Sequence, residues 1–88
     1  MTKVNITSPM HPLVDAIVVG DAIIIRAADD WKATYDADDI CRLVALTEHA
    51  VNPSEDLIEF FDDEFGAWSR RVASFFMHEV VNIEAALC

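Results

Sequence analysis

Eleven of the sixteen carboxylates in this chain fall in two short stretches. Asp29, Asp30, Asp36, Asp38 and Asp39 lie within residues 29–39, and Glu55, Asp56, Glu59, Asp62, Asp63 and Glu64 within residues 55–64. Lys32 is the one base among them, so the stretches carry net charges of −4 and −6. The other five acids are matched by five bases, and the formal charge of −10 therefore belongs to two patches on an otherwise neutral protein. Carboxylates at such density can hold metal ions, move protons or meet a cationic surface.

The first two uses find little support. The acidic run lacks the alternating ligands and central glycine of a calcium-binding loop. Neighbours such as Asp62 and Asp63 point in different directions on a helix. His11, His49 and His78 are scattered, and His78-Glu79 is followed by Val80, Val81 and Asn82, so the second histidine of a metalloprotease helix is missing. Cys41 and His49 are eight residues apart on one expected helix, about 12 Å by the helical rise, too far to share an ion. Two glycines in the whole chain cannot build a phosphate-binding loop. We therefore expect no enzyme, no metal and no cofactor.

Direct nucleic-acid binding is disfavoured as well, because phosphate contacts need clustered bases. The only adjacent pair is Arg70-Arg71, which we expect to form ion pairs with Asp63 or Glu64 a turn or two earlier on the same helix. The third use remains. A helix with a carboxylate on every turn presents one charge per roughly 5 Å, comparable with the 3.4 Å rise per phosphate along a DNA strand. The expectation is a small inhibitor that docks all eleven carboxylates on a basic, nucleic-acid-binding surface of another protein. By size and charge it is analogous to phage anti-defence proteins, antitoxins and immunity proteins. The alternative is that both patches are solvated faces.

The elements that must position these side chains come from pattern. The expected fold is α+β in one domain of 88 residues. Residues 1–12 read as irregular, 13–35 as a β meander and 36–88 as helical. In "LVDAIVVGDAIIIRAA", Gly20-Asp21 separates two β-branched runs and suits a type II′ turn. That register sets Val19 opposite Ala22, Ile17 opposite Ile24 and Asp15 opposite Arg26, the last a favourable charge pair. Both faces of this hairpin are largely apolar, so it must be covered on both sides or paired at an edge. "WKATY" at 31–35 alternates as a third strand.

Asp36 should cap a helix over 37–51 whose apolar stripe is Ile40, Leu43, Val44, Thr47 and Val51. Ser54 should cap a second helix running on from 55. Its stripe of Leu57, Phe61, Phe65, Trp68, Val72, Phe76 and Ile83 lies opposite Glu55, Glu59, Asp62 and Asp63. Gly66 and Glu79 fit a single straight helix poorly: the glycine costs about 1 kcal/mol in a helix interior, and the glutamate falls on the apolar stripe.

Beyond residue 75, "FFMHEVVNIEAAL" is apolar on most sides. This predicts a homodimer through Phe75, Phe76, Val80, Ile83 and Leu87, and it supports a second functional reading, a dimeric structural subunit or chaperone-like adaptor. No apolar run approaches the roughly 18 residues of a membrane span, and the first residues lack the apolar core of a signal peptide. Asn5-Ile6-Thr7 matches a glycosylation site but has no secretion signal to give it meaning. A cytoplasmic protein without membrane contact is expected. Cys41 and Cys88 are too few for a disulfide framework and read as a buried thiol and a tail thiol.

Overall fold

Hydrophobic alternation with a period of two organises the first third of the chain. The computed structural model of the protein describes residues 3–28, 30–48 and 50–88. It contains the strands β1 (Lys3–Thr7), β2 (Val14–Val19), β3 (Ala22–Ala27) and β4 (Trp31–Asp36), which form one antiparallel sheet in the order β1-β2-β3-β4. Val19 pairs with Ala22, Ile17 with Ile24 and Asp15 with Arg26, the register expected from the sequence. Gly20 has φ 63°, and among the described non-glycine residues only Ala28 has positive φ. One left-handed residue at the first central position is what a type II′ turn requires. Arg26 closes the far end of the hairpin with two hydrogen bonds of 2.8 Å to the Asp15 carboxylate.

The irregular stretch expected at 1–12 is corrected: Lys3–Thr7 is a fourth strand, paired with β2. Only Val4 and Ile6 alternate in it, and only Ile6 is buried, so its apolar signal was too thin to register. The hairpin is thus paired on both edges. One face of the sheet buries Ile6, Val14, Ala16, Val18, Ile23, Ile25, Ala27, Ala33 and Tyr35. The opposite face carries the half-buried pair Ile17–Ile24 between Asn5 and Thr34.

The helices lie against the buried face. Asp36 ends β4 and caps α1 (Ala37–Thr47), its side chain accepting from the Asp39 N–H at 3.0 Å. Ile40, Leu43, Val44 and Thr47 are buried as expected. The helix stops four residues short of the expected end, so Val51 lies beyond it and is 89% exposed. Ser54 caps α2 (Glu55–Phe65), accepting from the Leu57 N–H.

The single long helix from 55 onward is also corrected. Gly66 adopts φ 49° and ψ −121°, a combination open to glycine and closed to residues with a Cβ, and it ends α2. A single 3-10 turn, Gly66–Trp68, leads into α3 (Ser69–His78). Glu79 (φ −106°, ψ 13°) breaks the chain again before α4 (Val80–Leu87). The two residues that fitted a straight helix poorly are the two hinges. Redirected there, Leu57, Phe61, Phe65, Val72, Phe76 and Ile83 all reach one core.

Phe75, Phe76 and Ile83 have no exposed surface and Val80 is 6% exposed within a single chain, while Leu87 packs against the same core. Phe75, Phe76, Val80 and Ile83, expected to face a second copy, are thus covered by the chain's own core, and Leu87 is partly so. The bends at 66 and 79 fold the apolar run back on the sheet, so a small domain can cover most of it.

The thiols are corrected too. α4 returns alongside α1, bringing the Cα atoms of Cys41 and Cys88 to 5.9 Å and joining the side chains as a disulfide across 47 residues. Where α1 and α4 meet, Glu48 approaches Glu84, whose carboxyl is raised from its ordinary value first by a hydrogen bond and then by charge. Among the described residues no helix is long and apolar enough to cross a membrane.

Two expectations follow from this architecture. Gly66→Ala forces a Cβ into a glycine-only conformation and should cost about 1–3 kcal/mol. The Cβ itself would meet Trp31 at an ordinary 3.6 Å, so the loss is conformational rather than steric. Urea denaturation should show a lower midpoint at unchanged slope. Opening the 47-residue loop with Cys41→Ser and Cys88→Ser should lower stability by about 2–4 kcal/mol and leave far-ultraviolet circular dichroism intact, because the buried core does not include the sulfurs.

Candidate functional site

Where β4 passes beneath α2, the two acidic runs come together. Asp36, at the end of β4, and Asp39, in the first turn of α1, form one wall of an open cleft. Glu59, Asp63 and Glu64 of α2 form the other, with Thr34, Tyr35 and Phe60 between them. The cleft has a volume of about 440 Å³ and no basic side chain among its lining residues. The local cause is the division of α2: Leu57, Phe61 and Phe65 are held in the core, which turns Glu59 and Asp63, one helical turn apart, outward beside the strand.

These charges are barely compensated. Asp36 accepts an N–H of the helix it caps, and Asp39 lies 3.9 Å from Arg42 in an exposed pair. The ion pairs expected between Arg70-Arg71 and the α2 acids are not formed among the described residues; Arg71 instead sits 4.7 Å over the Trp68 ring.

Tyr35 is the least expected member. It is 8% exposed, stacked between Phe60 (5.1 Å between ring centroids) and Phe61 (5.7 Å, edge on), and its buried hydroxyl has no hydrogen-bond partner. Burial, then the nearby charges of Glu64 and Asp63, push its pKa well above the ordinary phenol value. The hydroxyl therefore stays protonated at any physiological pH. Glu64 stands close enough to raise it without completing a hydrogen bond of good geometry. A buried polar atom left unpaired costs about 1–3 kcal/mol.

Of the eleven carboxylates expected to bind a partner, five meet at this cleft: Asp36, Asp39, Glu59, Asp63 and Glu64. Asp38 is exposed in the first turn of α1 but does not line it. Asp30 borders a different hollow with Arg26 and Lys32, at the far end of β4. Glu55 and Asp56 begin α2 at its other end, and Asp62 faces α3, accepting from Ser69 Oγ at 3.4 Å. Asp29 and His49 lie outside the described residues. Sequence reasoning missed Thr34, Tyr35 and Phe60. The alternation of "WKATY" did carry a signal for Tyr35: an inward tyrosine needs a partner for its hydroxyl, and none was assigned.

Other features are accounted for locally. His11 Nε2 lies 3.2 Å from His78 Nδ1, which also meets the Ser74 carbonyl at 2.9 Å. Desolvation first, and then His78, hold the His11 pKa below its usual value. The pair ties the β1–β2 connection to α3. A groove between β1 and α4 contains a single carboxylate, Glu79, already engaged by Asn82 at 2.9 Å. No group of three or more ligating side chains among the described residues could hold a metal ion.

In comparisons with protein-family models, curated proteins and solved structures, nothing matches the chain.

Tyr35→Phe removes the unpaired hydroxyl and keeps the ring. It should leave the protein as stable as the wild type or raise stability by about 1 kcal/mol, read as an equal or higher melting temperature. A clear drop would mean that the hydroxyl is satisfied in solution.

Proposed function

We propose that this protein is a small acidic inhibitor that docks on the basic, nucleic-acid-binding surface of a target protein in the cytoplasm. The observation that carries the reading is the convergence of two sequence-distant acidic runs on one cleft that no base lines. Independent solvated faces have no reason to meet, whereas a surface that must concentrate negative potential does. Clustered like charge with low-dielectric walls focuses the field and speeds encounter with an oppositely charged partner. The aromatic floor of Phe60 and Tyr35 supplies the apolar contact that a purely diffuse patch would lack.

The subunit or adaptor reading has less to rest on, since Phe75, Phe76, Val80 and Ile83 are taken up by the chain's own core. In a reducing cytoplasm the Cys41–Cys88 bond would be opened, and the docking surface must then persist on core packing alone. Nothing in the cleft depends on the sulfurs: the helices that form its walls are held by Ile40, Val44, Phe61 and Phe65.

The triple change Glu59→Gln, Asp62→Asn and Asp63→Asn alters exposed side chains and should move stability by no more than about 0.5 kcal/mol. Binding to a basic DNA-binding protein such as a linker histone should weaken by about 1–2 kcal/mol, near tenfold. The wild-type affinity should fall as salt is raised, and the variant's salt slope should be shallower. Glu84→Gln, outside both acidic runs, is the control and should bind as wild type. Equal affinity and equal slope for the triple variant would remove the proposal.

A further inference from the structure

We propose, building on that reading, that the cleft between β4 and α2 is an anchor site for one arginine side chain of the basic partner. Three observations converge on a guanidinium. The five carboxylates surround the cleft from three elements, yet no three ligating groups among the described residues are close enough to hold a metal ion. A cation that bridges separated acceptors must therefore be extended, and guanidinium has five N–H donors in a planar fork. Phe60, half-buried on the wall, offers an aromatic surface, on which a planar delocalised cation stacks better than a compact ammonium.

The third observation is the Tyr35 hydroxyl, buried without a partner and flanked by the cleft carboxylates Glu64 and Asp63. Its oxygen can accept a hydrogen bond from an arginine N–H that reaches it from the cleft. That N–H gives the oxygen a donor that the free chain lacks, while Glu64 beside the phenol is the acceptor available to its O–H. Asp63 and Glu59, spaced by one helical turn, would take the remaining donors. A lysine ammonium could satisfy the charge but not the spread of acceptors together with the ring face.

The test compares an octa-arginine with an octa-lysine peptide, equal in charge, by isothermal titration at low salt. Wild type should bind octa-arginine about tenfold more tightly, the advantage of bidentate, stacked contacts over a point charge. Tyr35→Phe should melt at or above the wild-type temperature and lose much of the arginine preference. Asp63→Asn with Glu64→Gln should lose octa-arginine about tenfold, whereas Glu55→Gln with Asp56→Asn, which removes the same charge outside the cleft, should lose no more than about twofold. Backbone amide shifts on binding should centre on Tyr35 and Phe60.

Equal loss from the two double variants would overturn the anchor and leave the diffuse acidic-face reading standing. So would equal binding of the two peptides, or displacement of octa-arginine by an equal concentration of spermidine. Absence of binding by either peptide to the wild type would overturn both the anchor and the proposed function.

Discussion

The seating of α2 between β4 and α3 turns on the burial of one side chain, Phe61. Its ring meets Tyr35 at 5.7 Å, Phe60 at 5.2 Å, Phe65 at 6.2 Å and Phe76 at 5.8 Å, mostly edge to face. Those contacts bind α2 to β4 on one side and to α3 on the other. With about 1.5–3 kcal/mol gained for each large side chain removed from water, the cluster fixes the rotation of α2 about its own axis. Once that rotation is set, helical geometry leaves Glu59 and Asp63 no position except the rim beside β4. The aromatic core thus holds the charged surface in place.

That arrangement has an electrostatic cost. Like charges gathered within a Debye length, about 8–10 Å near physiological ionic strength, repel one another. Part of the burden is relieved at helix starts. Asp36 caps α1, with Asp38 and Asp39 in its first turn, and Glu55 and Asp56 occupy the first turn of α2, where the dipole and the free N–H groups favour negative charge. Glu59, Asp63 and Glu64 have no such relief, since they lie in the middle and last turns. The residues that gain least from the fold are the three that α2 contributes to the cleft.

The hairpin was legible in the sequence because several local signals agreed. The Gly20-Asp21 turn, the β-branched flanks and the Asp15–Arg26 charge pair all specify one register, and a slip of one residue would expose the apolar face. Both helix starts were legible for the same reason, since Asp36 and Ser54 are caps that act within three residues. Strand β1 was not, because its five residues include just two apolar ones and no tight turn joins it to its partner strand. Gly66 and Glu79 were noticed as misfits but not as bends, because a periodicity argument assumes a straight axis. The disulfide depends on those bends, which return α4 to α1, so no local pattern announces it. The acidic runs were visible as composition, but their meeting at Tyr35 is a fact of tertiary structure.

The bond between Cys41 and Cys88 also changes how the molecule would carry a mechanical load. Tension applied through residue 88 does not travel along α4, α3 and α2 in turn; it crosses the sulfurs directly into the middle of α1 and from there into β4. Residues 42–87 form a slack covalent ring beside that line of force. While the bond is closed, the wall of the cleft contributed by α2 would be spared by a pull from that end, and the sheet would bear the strain. When the bond is open, the same pull would peel α4 from α1 first, beginning near the seam where Glu48 and Glu84 meet.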